Sequence, residues 1–396
     1  MNDRSATQLA ELTAGARRFA RGAAHGLEAR DLAGEDAAAR AARERLAAAG
    51  LLAWTVPHTF GGADTGRLSK PTHVSVRALC ALRAELAYAS GMLDVVFVEQ
   101  GLGSYPIALA GAEELRAEVL PAVAAGDLVA AFALTEDGAG SDLSQVALEA
   151  RAVPGGGFVL RGHKTYITNA GIADFYTVLA RTAGQPGEAA GLTMFHVPAQ
   201  ARGLAVERFE VTAPHPIGRV VFDGVELPSR SVLGALGGGL DVATQTLNTF
   251  RTSVAAAACG FGRRALDESV AHLERRTQFG KPLSSFQGLR FDLAEMDVRL
   301  RAAELLVDEA ARAVDAGQGA RAEVARAKLY ATETASWVCD RAVQHHGGAG
   351  VRRGAIVEAL WRDVRALRIY EGTSEVQKLI LAKEVLSARR ARPEAH

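Results

Sequence analysis

Cysteine is scarce in this sequence, with only Cys80, Cys259 and Cys339 among 396 residues. Three thiols far apart in sequence exclude a disulfide framework and fit a reducing compartment. Each lies in an Ala- or Val-rich helical pattern and reads as a small core residue. A charge excess is lacking too: Lys plus Arg equals Asp plus Glu at 45 each, so nothing favours nucleic acid or an anionic membrane surface as a partner. No apolar run approaches membrane-spanning length. Met1 to Ala20 carries Asp3 and Glu11 and has no continuous apolar segment of the kind a secretion signal needs, so a cytoplasmic location is expected. There is no internal repeat, no low-complexity linker, and no strand, Gly-rich turn and helix unit of the dinucleotide-binding kind. His345 and His346 are adjacent, but helix neighbours point about 100° apart, and no carboxylate or cysteine stands at a ligand spacing; no metal is expected.

What is present is apolar periodicity, with 48% apolar residues and a length that suggests two or three lobes. From Ser5 to about Val129 the spacing predicts helices almost throughout, including Ala37 to Ala49, Pro71 to Tyr88 and Met92 to Ala110. Around Phe132 the pattern changes to short β-branched and aromatic segments: Phe158–Leu160, Tyr166–Thr168, Phe175–Leu179, Leu192–Val197 and Arg219–Phe222. Such strands without intervening helices predict a compact β-barrel or sandwich. From Leu240 the helical period returns. Phe286, Leu289, Leu293, Met296, Leu300, Ala303, Val307, Ala310 and Val314 share one stripe, and the long helices predict an antiparallel bundle. The expected divisions are 1–131, 132–238 and 239–396, a helical, a β and a helical lobe.

Four stretches at the lobe borders carry chemistry. In Ala133 to Asp142, Gly138, Gly140, Thr135 and Ser141 let backbone amides and hydroxyls approach a phosphate or a ring; the plainer alternative is a surface turn. In Gly162 to Ala170, Tyr166 and Thr168 lie two apart on a strand and are expected to share a face, or simply to belong to an ordinary strand. Arg276 to Pro282 is a cationic turn suited to a pyrophosphate, or a solvated interhelical turn. The fourth runs from Gln344 through Gly350 and Trp361–Asp363 to Ile369–Gln377. Its Glu371 precedes a last helix, Thr373 to about Ala388, and becomes a general base if an apolar ligand closes over it. On local sequence alone a solvated glutamate in a capping turn is preferred; the rest of the chain reverses that preference.

Together, the Thr135–Asp142 stretch, the Arg276–Pro282 turn and the Gln344–Gln377 segment resemble the acyl-CoA dehydrogenase family from about Leu46 to Glu384, in order and spacing. The resemblance implies an α+β multidomain fold: a helical N-terminal domain, a central β-barrel and a C-terminal four-helix bundle. It also implies FAD lying between barrel and bundle, a homotetramer built as a dimer of dimers, an acyl thioester substrate and an electron-transferring flavoprotein as acceptor. By similarity, Phe132, Leu134, Thr135, Gly140, Ser141, Tyr166 and Thr168 hold the isoalloxazine and its neighbours, with Thr373 and Glu375 closing over it. Arg276, Gln278, Phe279, Leu283, Gln287, Gln344 and Gly348 reach the adenosine and pyrophosphate half in a neighbouring subunit. Ser141, Asn248, Arg251, Tyr370 and Gly372 are implied substrate contacts, and Glu371 occupies the position of the base. The alternative base position, one residue before Arg251, is Phe250, which takes no proton. The implied reaction removes the α-proton to Glu371 and the β-hydride to flavin N5, giving a trans-2-enoyl thioester.

Some positions depart from the family pattern. Asp137 stands for a usual proline and adds charge near the cofactor mouth, Tyr166 for a frequent tryptophan, Asn248 for an aspartate, and Thr212–Gly218 is proline-rich. These leave FAD in place and leave the carrier open between coenzyme A and an acyl carrier protein. Tyr105 and Phe250 shorten the expected acyl pocket, favouring a short or branched chain. Three rival readings remain: a pathway-specific dehydrogenase or oxidase on a carrier-protein-bound thioester, an oxygen-using oxidase or monooxygenase on the same fold, with Glu371 speaking against monooxygenation, and a colourless helical scaffold.

Overall fold

Helical spacing in the first third resolves into α1 (Asp3–Ala23), α2 (Leu32–Ala48), α3 (Val76–Ala89), α4 (Gly91–Ala110) and α5 (Glu113–Ala125), in a computed structural model that describes residues 3–28 and 31–390. The outermost positions of the expected first and last lobes, 1–2 and 391–396, lie outside the described residues. Helix α2 starts earlier than the alanine run because the Asp31 carboxylate accepts the Gly34 amide at 2.7 Å, an N-cap. Helix α3 starts later than Pro71, where the Asp315 carboxylate accepts the Val76 and Arg77 amides at 2.7 and 3.1 Å and satisfies two otherwise orphaned donors.

Eight strands follow: β1 (Ala130–Ala133), β2 (Glu149–Ala152), β3 (Phe158–Thr168), β4 (Phe175–Arg181), β5 (Leu192–Pro198), β6 (Leu204–Arg208), β7 (Ile217–Leu227) and β8 (Val232–Leu233). They form one sheet in the order β6-β7-β3-β2-β4-β5-β8, with β1 parallel to β4. Among the described residues no ladder joins β6 to β8, so the sheet has two ends; the middle β domain is as expected, and closure of the expected β-barrel or sandwich is not seen. Two expected strands are one: Phe158–Leu160 and Tyr166–Thr168 both belong to β3, whose register against β7 shifts between Lys164 and Ile167. Tyr166, with φ +57°, lies at that shift. A left-handed residue in a bulge interrupts the regular strand geometry at Tyr166, while exposure still alternates, with Tyr166 exposed, Ile167 buried and Thr168 half-buried.

The C-terminal part contains α6 (Gly239–Arg275), a hairpin of β9 (Thr277–Gln278) and β10 (Lys281–Pro282), α7 (Gln287–Asp315), α8 (Arg321–His346), α9 (Ile356–Leu367) and α10 (Ser374–Arg390). With the short α9 the described residues of this part hold five helices, one more than the expected four-helix bundle. No helix among the described residues is long and apolar enough to cross a membrane.

Compactness divides the chain into a first unit, Met1–Ala20, Val76–Gly91 and Arg251–His396, and a second, Arg21–Ser75 and Met92–Phe250. The core of the first unit is built on the α7 stripe, where Met296, Leu300, Ala303, Val307 and Ala310 are buried as the spacing predicts. It packs with Val254 to Cys259 of α6 and Val324, Ala327, Ala331 and Ala335 of α8. Small residues let these helices approach closely: a Cβ on Gly260 would lie 2.2 Å from the Ala84 carbonyl oxygen of α3. In the second unit β4 is buried on both faces. Phe175 and Leu179 face a cluster with Ile107 and Leu120, and Tyr176, Val178 and Ala180 face one with Phe195 and Phe222.

Candidate functional site

Glu371 lies in the first unit between α9 and α10. Glu371 and Gly372 have φ of +51° and +95°, two consecutive left-handed residues. That conformation costs a non-glycine residue on the order of 1–3 kcal/mol and persists only where its surroundings impose it. Here three side chains do so. Arg251 Nε donates to the Glu371 carbonyl at 2.7 Å, Lys328 Nζ to the Gly372 carbonyl at 2.7 Å, and Gln377 Nε2 to the same carbonyl at 3.0 Å. Glu333 braces the loop ends, accepting from Arg368 at 2.8 Å and from the Ser374 hydroxyl at 2.6 Å. Glycine is required at 372, because a Cβ there would come within 2.6 Å of Gln377 Nε2. Lys328 and Gln377 are fully buried and Glu371 half-buried. Burial pushes the Lys328 ammonium down to about 8, and Glu371 is the strongest charge opposing that fall. Burial also lowers the Arg251 guanidinium, again opposed by Glu371, but arginine stays charged. Tyr370 and Glu375 are exposed at the loop edges, and the Thr373 hydroxyl accepts the Val376 amide at 3.2 Å.

A second group of expected residues gathers around the β9–β10 hairpin of the same unit. Phe279 and Gly280 have φ of +53° and +78°, the geometry of a two-residue turn with both central residues left-handed. It holds the Phe279 ring 91% exposed at the apex. Arg276, Gln278 and Gln287 are exposed around it, and the Leu283 amide donates to the Arg276 carbonyl at 2.8 Å. Gln344 and Gly348 belong to the same end of the bundle: His346 stacks 4.1 Å from His272 of α6, and His345 Nε2 lies 3.2 Å from Asp292 of α7. Gly347 and Gly348 face open space.

In the second unit β1 leads into the Thr135–Ser141 loop. Buried side chains of α4 set that strand: Glu99 accepts the Phe132 amide and Gln100 the Ala130 amide, each at 2.9 Å. Lys164, fully buried, donates to the Leu134 carbonyl and to Glu136, both at 2.8 Å, and burial pushes it down to about 8 against the opposing effect of Glu136. Glu136 also accepts the Ala147 and Leu148 amides at 2.8 and 3.0 Å. The Thr135 carbonyl accepts the Thr165 amide at 2.9 Å, so loop and β3 move together. Gly138, Gly140 and Ser141 are exposed, with open space before both glycines. Tyr166 is 62% exposed with its ring edge-on to Phe209, and the half-buried Thr168 is two residues further along β3. Beside the loop is a groove of about 800 Å³ lined by Asp137, Tyr166, Arg208, Phe209 and Arg219 among others. Asp137 does not bring an uncompensated charge there: His163 Nε2 is 2.9 Å from it and Arg219 3.1 Å. Asn248 is exposed, while Phe250 is buried edge-on to Tyr105 at 5.6 Å.

Sequence reasoning thus found the loops and missed what holds them. Lys328 stands outside the four stretches, and Gln377, Lys164 and Glu136 fall within them with no role assigned from the sequence. A signal for Lys328 existed: it interrupts the apolar stripe Val324, Ala327, Ala331, Ala335 of α8 with a charge. In the first unit the exposed Phe279 ring, the Arg276 cation and the open Gly347–Gly348 backbone suit a phosphate-bearing group; in the second the exposed Tyr166 ring beside the open Gly138 and Gly140 suits a planar one.

Comparison with known proteins agrees with that arrangement. Family descriptions match in chain order: acyl-CoA dehydrogenase N-terminal domain over residues 7–127, middle domain over 131–225 and C-terminal domain over 237–386. The caffeyl-CoA reductase-Etf complex subunit CarC of Acetobacterium woodii is 33% identical over 351 residues, covering 87% of this chain and 89% of CarC. The structure of butyryl-CoA dehydrogenase from Megasphaera elsdenii superposes with a TM-score of 0.86 at 29% identity, covering 98% of this chain and 99% of that one. The prolyl acyl carrier protein oxidase AnaB superposes with a TM-score of 0.85 at 25% identity, covering 97% and 99%. With three matching domains, a relative above 30% identity and a glutamate loop braced by buried cations, this chain belongs to the acyl-CoA dehydrogenase family of oxidoreductases.

Proposed function

We propose that the protein is an acyl-CoA dehydrogenase that oxidises the α–β bond of a short or branched acyl-CoA to the trans-2-enoyl thioester, with Glu371 as the base. The observation that carries this reading is the left-handed Glu371–Gly372 pair, whose carbonyls are tied down by Arg251 and Lys328. A solvated glutamate in a capping turn needs no such bracing. FAD is the cofactor, and it supplies the acceptor for the β-hydride. Thr135, Ser141, Tyr166 and Thr168 would hold its isoalloxazine side, and Arg276, Phe279, Gln287 and Gln344 the adenosine and pyrophosphate side of a neighbouring subunit's copy.

Glu371 takes the proton from the carbon next to the thioester. The thioester oxygen gains negative charge as that proton leaves, so a donor must already face it, and the Glu371 amide is the chain's own candidate. Arg251 and Asn248 lie along α6, where they would meet the pantetheine. The preference for a short chain is supported by Phe250, whose buried ring fills the space a side chain at Gly101 would need, 2.3 Å from the position of a Cβ there. Electrons leave to an electron-transferring flavoprotein, in line with the Etf complex in which CarC is named. The reading also carries a cytoplasmic homotetramer, checked by light scattering alongside FAD content.

The test is anaerobic titration of the yellow protein with acyl-CoAs from short and branched to long. Bleaching is expected with short chains, and Glu371→Gln should retain FAD and ligand binding while losing roughly a thousandfold or more in turnover. Near-normal turnover in that variant would remove Glu371 as base. A second reading, oxidation of a carrier-protein-bound acyl group, is favoured by the likeness to AnaB. It predicts peroxide formation and bleaching by the carrier-bound thioester alone.

A further inference from the structure

We propose that Lys328 is a positioning residue for the base: its buried ammonium holds the Gly372 carbonyl and supplies the positive charge that keeps the Glu371 carboxylate ionised until substrate arrives. The inference rests on Glu371 being the base. Its ground is geometric. Lys328 comes from the middle of α8 and is fully buried, and among the described residues its ammonium makes one hydrogen bond, at 2.7 Å, to the carbonyl of the residue after Glu371. An ammonium taken out of water and given one neutral acceptor is a costly arrangement unless an anion stands near it. Among the described residues the charged groups that act on it are Glu371 itself, Arg251 from α6, Glu333 from α8 and Glu375 at the start of α10. Arg251 repels it. Glu333 is already engaged by Arg368 and Ser374. Glu375 is exposed at the start of α10. Glu371 is therefore the anion that compensates Lys328, and the strongest charge opposing the fall of Lys328 to about 8 is indeed Glu371.

The attraction is mutual, so Lys328 favours the ionised carboxylate to the same degree. Two effects follow. Above its own titration, near pH 8, Lys328 loses its charge and Glu371 holds a proton more readily. At neutral pH the carboxylate remains a proton acceptor and its loop cannot swing, because both carbonyls beside it are pinned.

Proton removal alone can be read with a 3-thia-acyl-CoA, in which sulfur at the β position prevents hydride loss. Exchange of its α-protons with D2O would be followed by NMR on the FAD-loaded protein from about pH 5 to about pH 10. Wild type, Lys328→Met, Lys328→Arg and Glu371→Gln are compared, with FAD absorbance as an independent check of folding. Lys328→Met should move the acid limb of the profile up by about one pH unit, slowing exchange about tenfold on the acid side of the limb, while Lys328→Arg returns the limb towards wild type. A merely structural lysine would lower the rate without moving the limb. Should Lys328→Met fail to bind FAD, Lys328→Gln, which keeps a donor and removes the charge, carries the same expectation. A wild-type limb in the uncharged variant, with Glu371→Gln inert, overturns the proposal and leaves the base in place. Wild-type exchange by Glu371→Gln overturns the base instead.

Discussion

Two loops of this protein rest on buried lysines, and they are held in different ways. In the second unit Lys164 reaches the Leu134 carbonyl and pairs directly with Glu136, which also accepts two backbone amides. That network is closed, with each charge answered by a hydrogen bond. In the first unit Lys328 reaches the Gly372 carbonyl, and among the described residues no carboxylate is in hydrogen-bonding contact with it. The anion proposed to compensate it is Glu371, the glutamate also proposed as the base. The comparison separates a lysine that fixes a shape from one that also sets a charge. Full pairing suits a loop that binds, because it is rigid at any moderate pH. Incomplete pairing suits a loop that reacts.

The largest effect on stability should come from breaking the closed network. Glu136→Gln leaves the Lys164 ammonium buried without its anion and should cost about 3–5 kcal/mol in urea unfolding, whereas Lys164→Met with Glu136→Gln together should cost much less. If the single and double variants are equally unstable, the pair is not an ion pair in the sense argued. Next comes Gly372→Ala, which must hold a side chain at φ +95° against Gln377 and should lose roughly 1–3 kcal/mol together with most turnover. An alanine variant of unchanged Tm and rate would show that the loop is looser than described.

A smaller effect, common to both lysines, appears with pH. Both are held at about 8, below the ordinary 10.5, so the unfolded chain binds more protons than the folded one between those values. The cost of burying each ammonium is fully present below about pH 8 and fades as pH rises towards about 10.5. The disadvantage of wild type relative to Lys328→Met should therefore shrink between neutral and alkaline pH, by about 1–2 kcal/mol. Comparing the same protein across pH is less direct, because the raised thiol values of Cys80, Cys259 and Cys339 work against stability above about pH 9. The smallest effect expected is at Asp137: with His163 and Arg219 both beside it, Asp137→Pro should leave FAD content unchanged and stability within about 1 kcal/mol, as exposed ion pairs contribute little.

Much of this was determined by the sequence alone. The 3–4 spacing of α7 placed its buried face correctly, because a long amphipathic helix has one low-energy way to meet a core. The Glu371, Thr135 and Arg276 stretches were legible because glycine, hydroxyl and cationic residues punctuate otherwise apolar periods. Tertiary structure alone decided the rest. Arg251 and Lys328 lie 120 and 44 residues from the carbonyls they hold, and no local rule relates them. The kink at Tyr166 depends on pairing with β7, a strand still to come when β3 is read in order. Even the grouping of α3 with residues 251 onward in one compact unit follows from which faces bury each other and not from chain order. Periodicity reports the face a residue presents; only packing reports the partner that face meets, and the charge state of a buried lysine depends on that partner.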